Sequence, residues 1–332
     1  MNSKDNSEYH FEERNYIYIL KALALVSIVS AHSVGFTSTA SRFNQLSSWL
    51  LGQIGSIGVG VFFLVSGFLF YRNSRTIGNF FRKKFITIVV PWVITGTAVY
   101  LLLVIRNNEQ SLSGWFNFLL GNGSYLYYLT ILFVFYLIFF YTARIQVFVA
   151  STIILSCLSI VFTAAGYLEG INPYLNPLNF ICYFSVGLLI AHNNLLQKMV
   201  RLCSDYRLFL FLAYLILLII VGILNLSSGY WGTATLVSQP LSILLIMGVA
   251  SMNFTDNKRI INLGRVSYSV YLLHLPVAGI ITVVCNAYDS LGVFTLFRPV
   301  LAIIITVSLI TIYKVVGAKL KINKHTNPLI GL

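Results

Sequence analysis

Long apolar stretches that carry almost no charge are the feature that most constrains the fold of this chain. Charged residues make up 9% of its 332 residues and hydrophobic residues 58%, whereas an ordinary soluble domain has about 25% charged residues. In lipid only helices and closed barrels satisfy every backbone group, and these stretches are too long for barrel strands. The sequence therefore predicts an all-α fold, a polytopic membrane bundle of helices.

We predict ten membrane-spanning helices, because about 20 apolar residues suffice to cross the hydrocarbon core. Two of them, 125–141 and 174–192, are short for a span. The transmembrane domain then covers residues 16–317, between a cytoplasmic N-terminal segment, 1–15, and a cytoplasmic tail, 318–332. The predicted spans are 16–36, 50–71, 85–105, 125–141, 146–166, 174–192, 208–226, 232–251, 265–286 and 294–316.

The formal net charge of +13 orients the chain in a membrane and does not indicate nucleic-acid binding. With both termini inside, most of the 22 lysines and arginines flank the spans on the cytoplasmic side. Only Arg42, Arg106 and Arg298 lie on the opposite, non-cytoplasmic side of the membrane, and Lys21 lies within the first span. This distribution follows the positive-inside rule and predicts that both termini are cytoplasmic.

Neither a cleaved signal peptide nor a separate soluble domain is predicted. The segment before the first span is acidic, its apolar run exceeds a typical signal core, and the longest loops hold only about a dozen residues. The cysteines show no metal or redox spacing, so we expect free thiols and no metal site. They are Cys157, Cys182, Cys203 and Cys285. Any catalysis must therefore take place within the membrane part.

Two ionisable side chains lie within the first predicted span. Lys21 and His32 are eleven positions apart, within about 20° of one helix face and roughly 16 Å apart along the axis. A lysine at the bilayer centre costs about 2.5–3.5 kcal/mol, so such residues are functional candidates. His32 is a candidate general base, with a packing role equally open. Lys21 is a candidate contact for a phosphate, or its stem simply reaches the interface.

The second span and the loop after it contain further candidates. Ser66–Gly67 predicts a helix break beside a cavity, although glycine-rich spans are also ordinary membrane packing. Arg82, Lys83 and Lys84 form a basic cluster ahead of Pro91. Most such clusters are topology signals and a minority bind anionic groups, so both interpretations stay open.

The later part of the chain offers His274, Glu169 and a group of tyrosines. His274 lies two residues before Pro276, and since proline leaves backbone carbonyls unpaired, we favour a structural histidine that bonds a carbonyl over a catalytic one. Glu169 is the only acidic residue of the predicted outer loop between spans five and six. It is a candidate contact for a sugar-like acceptor or a solvated loop residue. The tyrosines within 125–128 predict an interfacial aromatic belt.

The order of these motifs resembles that of acyltransferase family 3, a family of integral membrane proteins. Lys21 and His32 match a basic residue eleven positions before a histidine, and Gly58–Leu69 matches G-V-x-x-F-F-x-x-S-G-F-L. Arg82–Pro91 matches a basic cluster before a proline, and Gly264–Pro276 matches G-R-x-S-Y-S-x-Y-L-L-H-x-P. Together the motifs span most of the chain in the family's order.

The resemblance implies ten spans in a bacterial inner membrane and transfer of an acyl group, usually acetyl, from cytoplasmic acyl-coenzyme A (acyl-CoA) to a hydroxyl. The acceptors it implies are surface polysaccharides, lipid-linked sugars or peptidoglycan. It makes His32 the essential histidine, Lys21 its basic partner and His274 the family's late histidine. The expected partners are therefore acyl-CoA, a glycan acceptor and the lipid bilayer, without nucleic acid.

On this resemblance, the phosphates of acyl-CoA lie near Lys21 and the basic cluster 82–84. The thioester enters a polar cavity between spans one, two and nine, where Ser66 and His274 are expected to contact substrate. His32 then deprotonates the acceptor hydroxyl or carries the acyl group transiently, and both routes stay open.

Two positions depart from the family pattern. Tyr18 stands where relatives often carry an aspartate, and Thr87 where an arginine is common. Lys83 and Lys84 are the nearby residues that can substitute for this arginine.

Two other functions also stay open. One is a transporter of polysaccharide or lipid-linked sugar without acyl transfer, although the sequence shows no repeat symmetry or paired broken helices. The other is a non-catalytic assembly partner.

Overall fold

The computed structural model describes residues 3–32, 41–72, 76–107, 111–226, 231–252, 257–286, 294–321 and 327–332, and these are helical with no strand. The α-helices are α1 (Ser3–Ala31), α2 (Arg42–Gly55), α3 (Gly58–Arg72), α4 (Ile77–Lys84), α5 (Val90–Asn107), α6 (Leu112–Leu120), α7 (Tyr127–Thr142), α8 (Gln146–Ala164), α9 (Ile181–His192), α10 (Leu196–Asp205), α11 (Arg207–Ile223), α12 (Thr235–Ala250), α13 (Lys258–Arg265), α14 (Ser267–Asn286) and α15 (Phe294–Lys319).

Several of these helices are long and apolar enough to cross a membrane. Five helical segments in the described ranges pass this test, or up to seven if the bent pairs α10–α11 (73°) and α13–α14 (79°) each form one span. Three shorter apolar helices, α7, α9 and α12, have 10–17 residues. The predicted all-α membrane class is confirmed. The count of ten spans and the cytoplasmic placement of both termini stay predictions.

Helix α1 lies at the centre of the bundle. It packs against α2, α3 and α12 to α15, and 67% of its apolar window is buried, against 22% for α15. Ile19, Leu20 and Leu25 are completely buried there. A polar side chain on α1 therefore faces protein far more often than lipid. Residues 33–36 of the predicted first span lie outside the described residues.

Glycines let α3 and α9 pack with their backbones in contact. A Cβ atom on Gly67 would overlap the Phe184 carbonyl in α9, and one on Gly187 would overlap the Leu64 carbonyl in α3. Small residues at such positions are typical of membrane helix pairs. Helix α3 runs unbroken through 66–67, so the predicted helix break there is wrong: the glycine serves close packing and not a kink.

The observed break lies earlier, between α2 and α3 at Ser56–Ile57. The Ser27 hydroxyl of α1 donates to the Ile54 carbonyl at 2.5 Å, and Gln239 of α12 donates to the Ser56 carbonyl at 3.1 Å. Backbone groups freed within lipid must find partners in the protein. Because side chains of α1 and α12 bond these carbonyls, we interpret the break as a structural junction.

A π-helical turn, Phe85–Val89, joins α4 to α5. Pro91 has no N–H, and in a regular α-helix its ring would clash with the carbonyl four residues earlier, so a wider turn at this place relieves the clash. The Tyr268 hydroxyl of α14 donates to the Ile88 carbonyl at 2.7 Å. π turns are frequent at functional sites, and this one borders the first cavity described below.

Short amphipathic helices occupy segments that the sequence analysis left as loops. These are α4, α10 and α13, each of 8–10 residues. A helix this short buries a narrow apolar stripe, such as Leu196 and Cys203 in α10, and its charged residues hide the pattern from a search for long apolar runs. Cys157, Cys182 and Cys203 are free thiols, and the side chain of Cys285 lies outside the described part.

Candidate active site

Two cavities lie along α1, and each contains one of its two candidate residues. The first, of about 310 Å³, is lined by Lys21, and the second, of about 950 Å³, is lined by His32. We call them the Lys21 cavity and the His32 cavity. Ile28, Tyr128 and Tyr271 line both. The two cavities therefore adjoin at these side chains, between the lysine and the histidine of one helix.

The Lys21 cavity is basic at one wall. Lys83 and Lys84 line it together with Lys21, whereas Arg82 is exposed and does not. The Lys84 ammonium lies 4.8 Å from the ring centre of Tyr136, within the range of a cation–π contact. The prediction placed this cavity between spans one, two and nine. The structure adds α4, the π turn and α7 to its walls.

Neutral hydroxyls complete this cavity. Ser66 lines it, with its oxygen 3.2 Å from the Tyr128 hydroxyl. Thr87, at the position of the family's arginine, also lines it, and its hydroxyl donates to the Lys83 carbonyl at 2.9 Å. The position thus faces the cavity without a charge, while Lys83 and Lys84 supply positive charge in the same wall.

Tyr18, at the position of the family's aspartate, lies among three cations. The distances from its ring centre are 5.7 Å to Arg14, 5.9 Å to Lys21 and 5.4 Å to Arg265. The negative face of an aromatic ring attracts cations. Tyr18 therefore provides an attractive aromatic face to these three cations but no negative charge.

His32 and His274 lie next to each other, with ring centres 5.1 Å apart. His274 Nδ1 is 2.7 Å from the Tyr271 carbonyl. Because a carbonyl only accepts hydrogen bonds, Nδ1 carries the proton, and Nε2 of the neutral ring is then the basic nitrogen. Nε2 is buried without a hydrogen-bond partner in the described part of the chain. His274 lines neither cavity, so it lies behind His32.

Helix α14 continues through Pro276. His274 bonds a backbone carbonyl as predicted, that of Tyr271, but the carbonyl freed by the proline is bonded by a different side chain. The carbonyl four residues before this proline is that of Leu272, and it accepts the Tyr125 hydroxyl at 2.7 Å. The Tyr271 hydroxyl in turn donates to the Tyr125 carbonyl. These two bonds fix the start of α7 against α14 and bring Tyr125 to 5.7 Å, ring to ring, from His274.

Arg298 is the site residue that the sequence analysis missed. It lies in α15, is 1% exposed and lines the His32 cavity. Its guanidinium donates to the His32 carbonyl at 2.5 Å and to the Ala278 carbonyl at 3.4 Å. A cation is favourable at the C-terminal end of a helix such as α1. The available signal was an arginine four residues inside an apolar stretch, which we assigned to an outer flank.

The predicted aromatic belt is wrong. Tyr125, Tyr127 and Tyr128 are all buried and line the His32 cavity. Tyrosines of an interfacial belt and tyrosines of a cavity both occur near the ends of apolar stretches. Only the packing of α7 against the neighbouring helices distinguishes the two cases.

Glu169 lies apart from both cavities. It is exposed on the loop between α8 and α9 and lines neither cavity, so its contact with an acceptor stays a prediction. The same loop bonds Asn172 to Asn122 at 2.9 Å and places Tyr174 in the wall of the His32 cavity. Within the described residues no group of three potential metal ligands occurs.

The fold and the site together define a class: a multi-pass helical membrane protein with a histidine pair beside a large cavity and a basic cavity behind it. The family model described as an acyltransferase domain matches residues 14–313. The chain therefore belongs to acyltransferase family 3, as its motifs implied, and this family indicates a membrane acyltransferase. Searches of curated proteins and of solved structures found no match.

Proposed function

We propose that this protein transfers an acyl group, most simply acetyl, from cytoplasmic acyl-CoA to a hydroxyl of a surface polysaccharide or lipid-linked sugar. The observation that supports this best is the adjacency of the two cavities at Ile28, Tyr128 and Tyr271. One cavity carries lysines suited to phosphates, and the other carries His32, with His274 behind it. A donor and an acceptor can thus approach one reaction point from opposite sides.

The Lys21 cavity is the proposed donor site. Lys21, Lys83 and Lys84 surround it, and lysine is a common phosphate ligand. The acyl end of the donor then points along the cavity toward Tyr128 and Tyr271, with Ser66 and Thr87 as polar contacts. The proposed topology has ten spans in a bacterial inner membrane with both termini inside, which places this cavity on the cytoplasmic side.

His32 is the proposed general base. It accepts the proton of the acceptor hydroxyl while the oxygen attacks the thioester carbonyl, and the CoA thiolate leaves and recovers a proton. The products are an acyl ester and free CoA thiol. Transfer through a transient acyl-histidine gives the same products. His274 is the neighbouring imidazole, with its Nδ1–H held by the Tyr271 carbonyl.

Arg298 is a proposed positioning residue for His32. It donates to the backbone carbonyl of His32 itself and also to α14, so it ties the end of α1 to two other helices. A general base must be held within hydrogen-bond reach of the proton that it abstracts. The guanidinium also brings a positive charge to the cavity in which the oxyanion of the attacked thioester develops.

The test is surface-glycan O-acetylation, measured by NMR in cells that carry the wild type, His32→Ala, His192→Ala or no protein. His192 is the matched control, because it bonds Tyr71 at 2.6 Å and lines neither cavity. Membrane protein levels are matched by immunoblot. Wild type and His192→Ala are expected to add the same acetyl signals, and His32→Ala to lose them by at least about a hundredfold.

Two results count against this proposal. Full acetylation by a normally inserted His32→Ala protein would show that acyl transfer does not require His32. An identical acetyl pattern in all strains, with a changed amount of exported glycan, favours the transport alternative.

A further inference from the structure

The His32 cavity has one wall that is also part of the outer surface of the bundle. Leu102 of α5 and Val283 of α14 line this cavity, yet they are 57% and 72% exposed. Leu103 and Ile280 line it in the same way and are exposed too. Side chains of two helices can line a cavity and remain this exposed only where the cavity opens. Among the described residues, one opening therefore lies between α5 and α14. Gly123 and Tyr174 line the cavity and are exposed as well, so the cavity has a second opening at the loops that precede α7 and α9.

The opening between α5 and α14 lies at membrane depth. α5 and α14 both belong to segments that are apolar enough to span a membrane. Leu102 is five residues before the end of α5 at Asn107, roughly 8 Å along the axis, and Val283 is roughly 5 Å before the end of α14. The rim carries only aliphatic side chains from these helices. Such a rim near the ends of two candidate spans is suited to the hydrocarbon of the membrane half that holds His32.

The inner end of the cavity is chemically different from its rim. His32 and the buried Arg298 line it, with the buried Tyr125. An aliphatic opening toward lipid and a cationic, aromatic interior together complement an amphiphile. Its apolar chain remains in the bilayer, and its anionic, hydroxyl-bearing head enters the cavity. A water-soluble polysaccharide would need only the loop-side opening at Gly123 and Tyr174, whereas an apolar chain accounts for the aliphatic opening as well.

We infer that the acceptor is a lipid-linked sugar that enters the His32 cavity from the bilayer between α5 and α14, with its phosphate near Arg298 and a sugar hydroxyl near His32. This inference rests on the proposed function and selects one of its two acceptor classes. The apolar chain of the acceptor lies against Leu102, Ile280 and Val283.

The first readout is site-specific photo-crosslinking and does not depend on activity. A benzophenone amino acid replaces Val283 at the opening or Leu101 as the control, since Leu101 is 53% exposed on α5 and lines neither cavity. After irradiation of whole cells, mass spectrometry identifies the attached lipid. A polyprenyl-phosphate sugar or another glycolipid is expected at position 283 only. The same bulk phospholipids at both positions would overturn the inference.

The second readout is acetyl transfer in nanodiscs from radiolabelled acetyl-CoA to a total lipid extract or to the water-soluble glycan of the same cells. The wild type is expected to label the lipid extract. Leu102→Trp narrows the opening and is expected to lower that label by about tenfold or more, whereas Leu101→Trp leaves it within about twofold. Label confined to the soluble glycan, unaffected by Leu102→Trp, refutes the inference and leaves acyl transfer intact.

The proposed function is refuted if the wild type labels neither acceptor and the His32→Ala variant does not differ from the wild type in any assay. The crosslink at position 283 still decides the lipid site in that case, so the two failures are distinguishable.

Discussion

At the residue scale, the chain keeps several cations inside an apolar bundle, and each has protein groups around it. Lys84 lies near aromatic rings, Lys21 lies near the ring of Tyr18, and Arg298 donates to backbone carbonyls of two helices. A charge removed from water needs such partners, since it is otherwise very costly to bury. The lysines line the Lys21 cavity, which is the proposed donor site, and the arginine lines the His32 cavity.

Lys84→Met is expected to raise KM for acetyl-CoA by about tenfold or more, because a hydrogen bond to a charged group contributes about 1.5–3 kcal/mol. The matched control is Arg82→Met, two positions earlier, since Arg82 is exposed and outside the cavity lining. Its KM is expected to change by less than about twofold. Steady-state kinetics in nanodiscs measures both. Equal increases in KM for both variants would indicate that the whole cluster 82–84 contacts the donor.

Arg298→Lys is expected to lower kcat by about a hundredfold while KM for acetyl-CoA stays nearly constant. Lysine keeps the charge but lacks the fork of donors that reaches the His32 and Ala278 carbonyls together. A purely structural role would instead lower the amount of folded protein, which size-exclusion chromatography measures in the same samples. A raised KM with unchanged kcat would place this arginine on the donor side.

At the element scale, interruptions of helices occur where the local sequence demands them and a neighbouring helix satisfies the freed groups. The π turn accommodates Pro91, and Tyr268 bonds its Ile88 carbonyl. The break at Ser56–Ile57 is bonded by Ser27 and Gln239. Close helix contacts follow the same logic, because glycine is found where two backbones meet, as in the pair α3 and α9.

Gly67→Val is expected to destabilise the protein by about 1–3 kcal/mol or prevent its accumulation, because the side chain has no space beside the Phe184 carbonyl. Gly78→Ala in α4 is the control, since no atom lies within 4 Å of the added Cβ; helix propensity predicts a gain of about 0.5–1 kcal/mol. Thermal unfolding followed by fluorescence-detected size exclusion measures both. A stable Gly67→Val protein would show that α3 and α9 separate readily.

At the scale of the whole molecule, the bundle holds two cavities on either side of three shared side chains, Ile28, Tyr128 and Tyr271. Residues from α1, α7 and α14 form that boundary. α3 also lines both cavities, whereas α4 lines only the Lys21 cavity and α5, α6 and α15 line only the His32 cavity. A membrane enzyme built in this way can keep its donor and its acceptor in separate compartments. In the proposed topology the Lys21 cavity faces the cytoplasm and the His32 cavity faces the outside.

Cysteine labelling tests this topology in a background without native cysteines. Lys83→Cys lies in the Lys21 cavity and Ser124→Cys in the His32 cavity. A membrane-impermeant maleimide is expected to label Ser124→Cys in intact cells and Lys83→Cys only after permeabilisation, because the basic loops remain inside. The reverse pattern would invert the proposed topology.

The sequence by itself determined the membrane class, the family and several polar residues that line the Lys21 cavity, namely Lys21, Ser66, Lys83 and Lys84. Apolar runs of this length can only be helical in lipid. Lys21, His32, Ser66 and His274 could be identified because each belongs to a motif that is local in the sequence. The short helices α4, α10 and α13 were not predicted, because a short sequence with a narrow apolar stripe and several charges cannot be distinguished from a loop by its apolar runs.

Only the tertiary structure decided which side chains meet. It brought Arg298 of α15 to the carbonyl of His32, placed His274 behind that histidine, and moved the tyrosines of α7 from an expected belt into the cavity wall. It also showed that Lys83 and Lys84 line the Lys21 cavity whereas Arg82 does not. Such relations depend on the packing angle and rotation of helices far apart in sequence, and apolar patterning leaves both open because lipid and protein are equally apolar partners for a helix face.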